Sequence, residues 1–321
     1  MPSRSVSAYR TRIWVLVVRG TGVPLLRLCY GRHRERGRQA FRLATASSIV
    51  ERGWRSGVAR IRLVALDIDG TLLTSANRLS PAVAAAVRAV AERGVAVALA
   101  TGRWYESARR WASRLGLAAP IISHNGARIT CPARDEDLLR LPLPLEPARA
   151  IARYMDDRGI HAHLTVGPYT YMRPHPDLDP ARLPNEIRLV TAFAPYVTEP
   201  PLSLLVFDPE GISALPAVFQ DRFQGSLRFT VNHTSGTADH LTVHHPAADK
   251  GRALARVCAH LGVPPEQTLA IGDAESDTAM FAVTGLAVAM GNATDAVKAR
   301  ATVVAPSNDA DGVAWALRYL L

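Results

Sequence analysis

Residues 63–73 read LVALDIDGTLL, an unbroken apolar run that ends in two carboxylates, Asp67 and Asp69, followed at once by Gly70 and Thr71. A continuous apolar run of this length suits a strand buried on both faces, and hence a parallel sheet covered by helices. Buried carboxylates are costly unless paired or bound to a cation. The run therefore constrains the fold and, at its end, the chemistry.

The pattern around it agrees. From Ile61 strand and helix alternate. SPAVAAAVRAVAERG predicts a helix with Ser80 as N-cap, Pro81 at its first position and Gly94 as its stop. VAVALAT predicts a strand, RWYESARRWASRLGL an amphipathic helix, and PIISHNGA a strand and turn. Between 127 and 240 the style changes. A helix (EPARAIARYMDDRG) is followed by short strands (HAHLTV, TYMRP, LSLLVFD, SLRFTV), a helix around ISALPAVFQDRF and a Pro-rich connector, HPDLDPARLP. Adjacent short strands predict an antiparallel or mixed sheet. After His245 the first style resumes and runs to a final helix from Gly312. The expected fold is α/β: a Rossmann-like parallel-sheet core built from 61–126 and 241–321, with an inserted α+β domain over 127–240.

The net charge of +10 suggests a polyanionic partner until it is mapped. Residues 1–60 hold thirteen Arg, no Lys and two acids, Glu35 and Glu51, about +11, which leaves the other 261 residues near −1. The body is balanced, so no specific nucleic-acid partner is expected for it. The Arg-rich extension is expected to be poorly ordered. Its apolar patch, IWVLVV, is too short to span a membrane and is no clean secretory signal. Organellar targeting, or contact with RNA or anionic lipid, are the other uses such an arm can have. Cys29, Cys131 and Cys258 lie far apart with no CxxC, which fits a reducing cytoplasm.

Residues i and i+2 on a strand share a face, so Asp67 and Asp69 are expected near each other at a strand's carboxyl end, where open α/β sheets bind ligands. A divalent cation relieves their repulsion, and Mg²⁺ suits carboxylate oxygen with phosphate nearby. In ALATGR, Thr101 ends a strand and Gly102 is expected to open a helix, an anion seat. In IGDAESD, Asp273 and Asp277 add carboxylates; Asp277 either binds metal or orients Asp273. Lys250, opening a helix in ADKGRAL, offers a mobile charge for phosphate. Acids for a metal plus donors for a dianion fit phosphoryl transfer. Asp67 would attack phosphorus, Asp69 would serve as acid and then base, and Thr101 and Lys250 would hold the equatorial oxygens. Gly70 lets the chain turn, and Thr71 is expected to tie that turn through its hydroxyl.

DIDGTLL (67–73), ATGR (100–103), NGA (125–127), Lys250-Gly251, GDAESD (272–277), MGNA (290–293), Asn308 and DGV (311–313) occur in this order. The set resembles the haloacid dehalogenase superfamily and, within it, the Cof-type (subfamily IIB) phosphatases, over about residues 61–321. The resemblance implies a C2-type cap inserted after the NGA turn and closing over the site. It implies Asp67 as nucleophile, Asp69 as acid/base, and Mg²⁺ held by Asp67, the Asp69 carbonyl and Asp273. Small phosphorylated metabolites, sugar phosphates or flavin-precursor monoesters, are the implied substrates. Where many relatives carry Asn, this chain has Ser276, shorter and without an amide, so a phosphate contact there leaves room for a water.

Two other functions fit the same residues. One is a phosphomutase; the other is a binding protein that uses its Arg-rich arm on nucleic acid or membrane and carries a vestigial enzyme domain. Intact acids at the metal positions argue against the second. Asn125 and Asn292 read as turn residues. His161 with His163, and His244 with His245, lack a third ligand at zinc spacing. Trp104, Tyr105 and Trp111 share a helix and read as packing. Tyr169, Tyr171, Arg173 and His175 face either substrate or solvent.

Overall fold

The computed structural model describes residues 61–176, 178–232 and 240–321. The Arg-rich extension and its expected disorder, arm function and Cys29 lie outside the described residues.

The apolar run forms β1 (Leu63–Leu66), fully buried and central in a parallel sheet. β2 (Ala96–Leu99) pairs on one side, with Leu66 opposite Leu99. β3 (Ile121–Ser123) joins it through a single parallel bridge, Ala100 to Ile122, and continues into an antiparallel ribbon with β4 (Arg128–Cys131) and β5 (Glu136–Arg140).

A second sheet follows. It contains β6 (Ala162–Val166), β7 (Tyr169–Met172), β8 (Ile187–Leu189), β9 (Ser203–Val206), β10 (Arg228–Asn232) and β11 (His240–His244), in the order β10-β11-β9-β6-β7-β8. All neighbours are antiparallel except β7 and β8. The chain then returns to the first sheet with β12 (Thr268–Gly272) beside β1, β13 (Leu286–Ala289) and β14 (Val303–Val304), all parallel. The α/β class with a separate antiparallel-sheet cap region is as expected.

Alternation along β1 explains the layers. Val64 and Leu66 pack toward α1 (Pro81–Glu92) and α2 (Tyr105–Leu115), while Leu63 and Ala65 pack in a separate cluster on the other face. α1 starts as its sequence demands, with the Ser80 hydroxyl accepting from Val83 N–H at 3.1 Å. In the cap, Leu164, Leu204, Val206, Leu241 and Val243 bury against α3 (Leu145–Arg158) and α4 (Pro209–Phe219). Below the second face of the parallel sheet lies α5 (Lys250–Leu261), capped by Asp249 accepting from Arg252 N–H. Three shorter helices follow: α6 (Thr278–Phe281), α7 (Asp295–Lys298) and α8 (Gly312–Leu317).

The chain turns from β3 into β4 through His124, Asn125 and Gly126, all at positive φ. At Gly126 a Cβ would sit 2.4 Å from the Asp249 carbonyl oxygen, so the turn requires glycine. β11 carries the antiparallel sheet through His244, because Leu241 and Val243 fill the cap's apolar layer. Among the described residues no helix is long and apolar enough to cross a membrane.

Candidate active site

Asp67 directly follows β1 and is pinned by its N–H to the Ile271 carbonyl at 3.1 Å. The chain then makes a wide turn in which Leu72 N–H bonds Asp67 O and Leu73 N–H bonds Ile68 O. Gly70, at φ +74°, makes the turn possible. A Cβ there would lie 2.2 Å from Asp273 Oδ2, so the same glycine leaves room for a carboxylate from another strand. The Thr71 hydroxyl was expected to tie this turn down. It donates instead to Asp273 Oδ1 at 2.6 Å, because the turn lays it against the end of β12.

Asp67, Asp273 and Asp277 converge: each offers an oxygen within 4.8 Å of the others, and all three are buried. Lys250, at the start of α5, reaches into the cluster with Nζ 2.8 Å from Asp67 Oδ1 and 2.7 Å from Asp277 Oδ1. It is 3% exposed and doubly paired, so the mobile charge expected from its sequence is a fixed one. Asp277 also accepts from the N–H groups of Asp273 and Ala274, both at 2.9 Å, and so shapes the loop after β12. Asn292, expected as a turn residue, donates to Gly70 O at 2.8 Å and lies 3.4 Å from Asp273 Oδ2. It thereby braces the acid's position as well as its own loop.

One ammonium faces three acids. Burial, together with neighbouring Asp277, Asp273 and Asp69, pushes Asp67 well above the ordinary carboxylate range, although Lys250 pulls the other way. Burial and Asp277 push Asp273 up to about 7. Burial pulls the Lys250 ammonium down, but Asp277 and Asp67 outweigh it and raise its pKa overall. The cluster therefore carries negative charge that its own side chains do not balance, and its donors are hard oxygens. That donor set fits a divalent cation.

Asp69 stands apart from this cluster. Its carboxylate turns toward Arg103, which donates from Nε to Oδ2 at 2.8 Å and from Nη2 to Oδ1 at 2.5 Å. The turn at Gly70 breaks the strand alternation that would have kept Asp69 beside Asp67. Thr101 is fully buried, and its hydroxyl accepts from Arg103 N–H at 3.1 Å. It does not line the cavity, whereas Gly102 does. The helix expected to open at Gly102 begins at Tyr105, since residues 102–104 bend to bring Arg103 over Asp69.

A cavity of about 490 Å³ covers the carboxylates and includes Asp67, Asp69, Gly102, Lys250 and Ser276. Asp273 and Asp277 lie beneath it. The cap contributes His163, Leu205, Phe207, Asn232 and His240. Trp104, expected to pack, lines the cavity from the bend before α2, while Tyr105 is buried in the core. Arg173, a candidate for substrate contact, instead bonds Asp156 and the Ile160 carbonyl.

A sequence profile of the haloacid dehalogenase-like hydrolases matches residues 64–317. The chain belongs to that family. It is 27% identical over 263 residues to the 5-amino-6-(5-phospho-D-ribitylamino)uracil phosphatase YitU of Bacillus subtilis, covering 80% of this chain and 96% of that protein. It is 30% identical over 246 residues to the HMP-PP phosphatase of Serratia proteamaculans, covering 74% and 86%. A haloacid dehalogenase-like hydrolase from Bacteroides thetaiotaomicron superposes with a TM-score of 0.71 at 25% identity, over 82% of this chain and all of that one. The membership and the enzyme class expected from the motifs are borne out.

Sequence reasoning quoted Arg103 within ATGR without giving it a role. Its signal was available: a basic residue directly after a strand-end Thr-Gly, facing a strand that ends in acids. His163 and Phe207 were not singled out for the site, since which face of a strand sees the cavity depends on pairing.

Proposed function

We propose that this enzyme is a metal-dependent phosphatase of small phosphorylated metabolites, working through an aspartyl-phosphate. The single observation that carries the reading is the convergence of Asp67, Asp273 and Asp277 oxygens within 4.8 Å at the carboxyl ends of parallel strands, under a cavity large enough for a metabolite. Asp67, Asp273 and Asp277, with the Asp69 carbonyl, would hold Mg²⁺. When bound, the ion supplies positive charge that lets an anionic nucleophile approach an anionic phosphate.

This chain's own residues do the rest. An Asp67 oxygen bonds to phosphorus as the ester P–O bond breaks, and the leaving oxygen takes its proton from Asp69. Asp69 then takes a proton from water, whose oxygen bonds to phosphorus as the P–O bond to Asp67 breaks, releasing inorganic phosphate. Lys250 keeps Asp67 aimed, Gly102 and Ser276 bound the phosphate side of the cavity, and buried Thr101 supports the bend through Arg103 N–H. Arg103 holds both oxygens of Asp69 and so fixes the direction in which that carboxyl faces the cavity. A cap inserted between core segments 61–126 and 241–321 would cover the substrate and exclude water. Unpaired Cys131 and Cys258 are in keeping with a reducing cytoplasm.

The test is phosphate release by the full chain from a panel of monoesters, with Mg²⁺ and then with chelator. Release that needs the metal and is lost in Asp67→Asn supports the reading. Wild-type turnover by that variant overturns the nucleophile assignment. Isomerised sugar phosphate in place of free phosphate identifies a mutase.

A further inference from the structure

The cavity has a floor and a roof of opposite character. Its two fixed cations, Lys250 and Arg103, both lie in the floor, and both are engaged by carboxylates. Among the described residues, the cap's contribution, His163, Leu205, Phe207, Asn232 and His240, contains no Lys, Arg, Asp or Glu. The pleat accounts for this. His163 pairs with Leu205 across β6 and β9, and their neighbours Leu164 and Leu204 point into the cap core.

A continuous series of rings runs from Trp104, before α2, into the roof. Trp104 meets His163 edge-on at 6.1 Å, His163 meets Phe207 at 4.7 Å, and Phe207 meets His240 at 5.8 Å. His163 is an uncharged member, since burial pulls its pKa to about 4. Phe207 is 38% exposed, a large apolar ring left facing a cavity. At one end, Asn232 is 2% exposed; its amide nitrogen is bonded, but Oδ1 has no partner among the described residues.

Each feature excludes a kind of leaving group. A second phosphate or a carboxylate would find no free fixed cation among the described residues under this roof. A bare polyol would lay most of its hydroxyls against the Phe207 face and Leu205, where they lose water, and could pair only those that reach an imidazole or Asn232. A flat, uncharged ring stacks on such a surface, and an N–H on its edge matches the orphan acceptor of Asn232.

We propose, building on the phosphatase reading, that the roof binds an uncharged aromatic or heteroaromatic ring in the leaving group, with Phe207 as its stacking face. The preferred substrates are then phosphomonoesters that carry such a ring at a distance from the phosphate.

Matched esters test this, each pair differing by the ring: uridine 5′-monophosphate against ribose 5-phosphate, and flavin mononucleotide against ribitol 5-phosphate. With the full chain and Mg²⁺, kcat/KM for the ring-bearing member of at least one pair exceeds that of its partner by about ten-fold or more. Phe207→Ala lowers that ratio by about ten-fold, Phe207→Leu lowers it as well while keeping apolar bulk, and Phe207→Tyr retains it. Equal or better turnover of both ringless esters overturns this proposal alone, as does an unchanged ratio in folded Phe207→Ala or Phe207→Leu. No phosphate from any ester, acetyl phosphate included, overturns the phosphatase reading and this proposal together.

Discussion

Arg103 grips both oxygens of Asp69, with Nε 2.8 Å from one and Nη2 2.5 Å from the other. The planar guanidinium does what an ammonium cannot, holding a carboxylate in one plane by two parallel bonds. Asp69 is half-buried, so without this grip it can rotate away from the cavity. Arg103→Ala and Arg103→Lys are both expected to lower kcat by about ten-fold or more, with a smaller change in KM. Steady-state kinetics on acetyl phosphate with Mg²⁺ checks this, and full activity in Arg103→Lys would show that charge alone suffices.

Gly70 satisfies two demands at once. Its φ of +74° is strained for any other residue, and an added Cβ would overlap Asp273 at 2.2 Å. Gly70→Ala is therefore expected to cost on the order of 2–3 kcal/mol and to displace Asp273 as well. Denaturant unfolding should show the loss, and titration with Mg²⁺ should show weaker binding than in wild type. Unchanged metal affinity in a folded Gly70→Ala protein would mean that Asp273 does not depend on this clearance.

The acids were legible because two carboxylates at the end of an apolar strand have few physical excuses. Asp67 and Asp273 follow strands that the alternating pattern predicts, and the sheet order, which that pattern does not fix, makes those strands neighbours. The burial of Lys250 was not legible. ADKGRAL looks like an ordinary surface helix start, and the partners that draw Lys250 inward lie 183 and 27 residues away. The same holds for Arg103, whose partner is 34 residues distant. Asp69 misled for a local reason: i, i+2 pairing assumes an unbroken strand, and β1 ends at Leu66. Trp104 misled because a helix face was assumed to begin before the chain had finished bending.

Asp67→Asn separates catalysis from stability. The buried acid is pushed up by burial and by three neighbouring carboxylates, so a neutral side chain of the same shape relieves repulsion. Lys250 keeps Asp277 at 2.7 Å in either case. In chelator the variant is expected to melt at the wild-type temperature or several degrees above it, since about 1 kcal/mol moves Tm by roughly 2–4 °C at this size. It should gain less from added Mg²⁺ and release no phosphate. A melting temperature well below wild type in chelator would mean that the Lys250–Asp67 pair is a net stabiliser.

The raised acids and the depressed histidines tilt stability in opposite directions with pH. Below about pH 4 both folded and unfolded chains keep the Asp273 proton, and no penalty arises. As pH rises, the unfolded chain releases that proton first, so stability falls until the folded pKa of about 7 is passed. The shift corresponds to a penalty on the order of 4 kcal/mol without metal. Buried His163 and His244 titrate near 4, and His124 near 3, all pulled down by burial. Their contribution is full above the ordinary histidine range and is lost as pH falls through it toward those values. Mg²⁺ binds the deprotonated acids, so it cancels the first slope and leaves the second. Melting temperatures from pH 4.5 to 8.5 should therefore diverge between Mg²⁺ and chelator as pH rises, with the metal-loaded protein falling off only toward acid. Two parallel curves would mean that the ion does not bind where Asp67 and Asp273 meet.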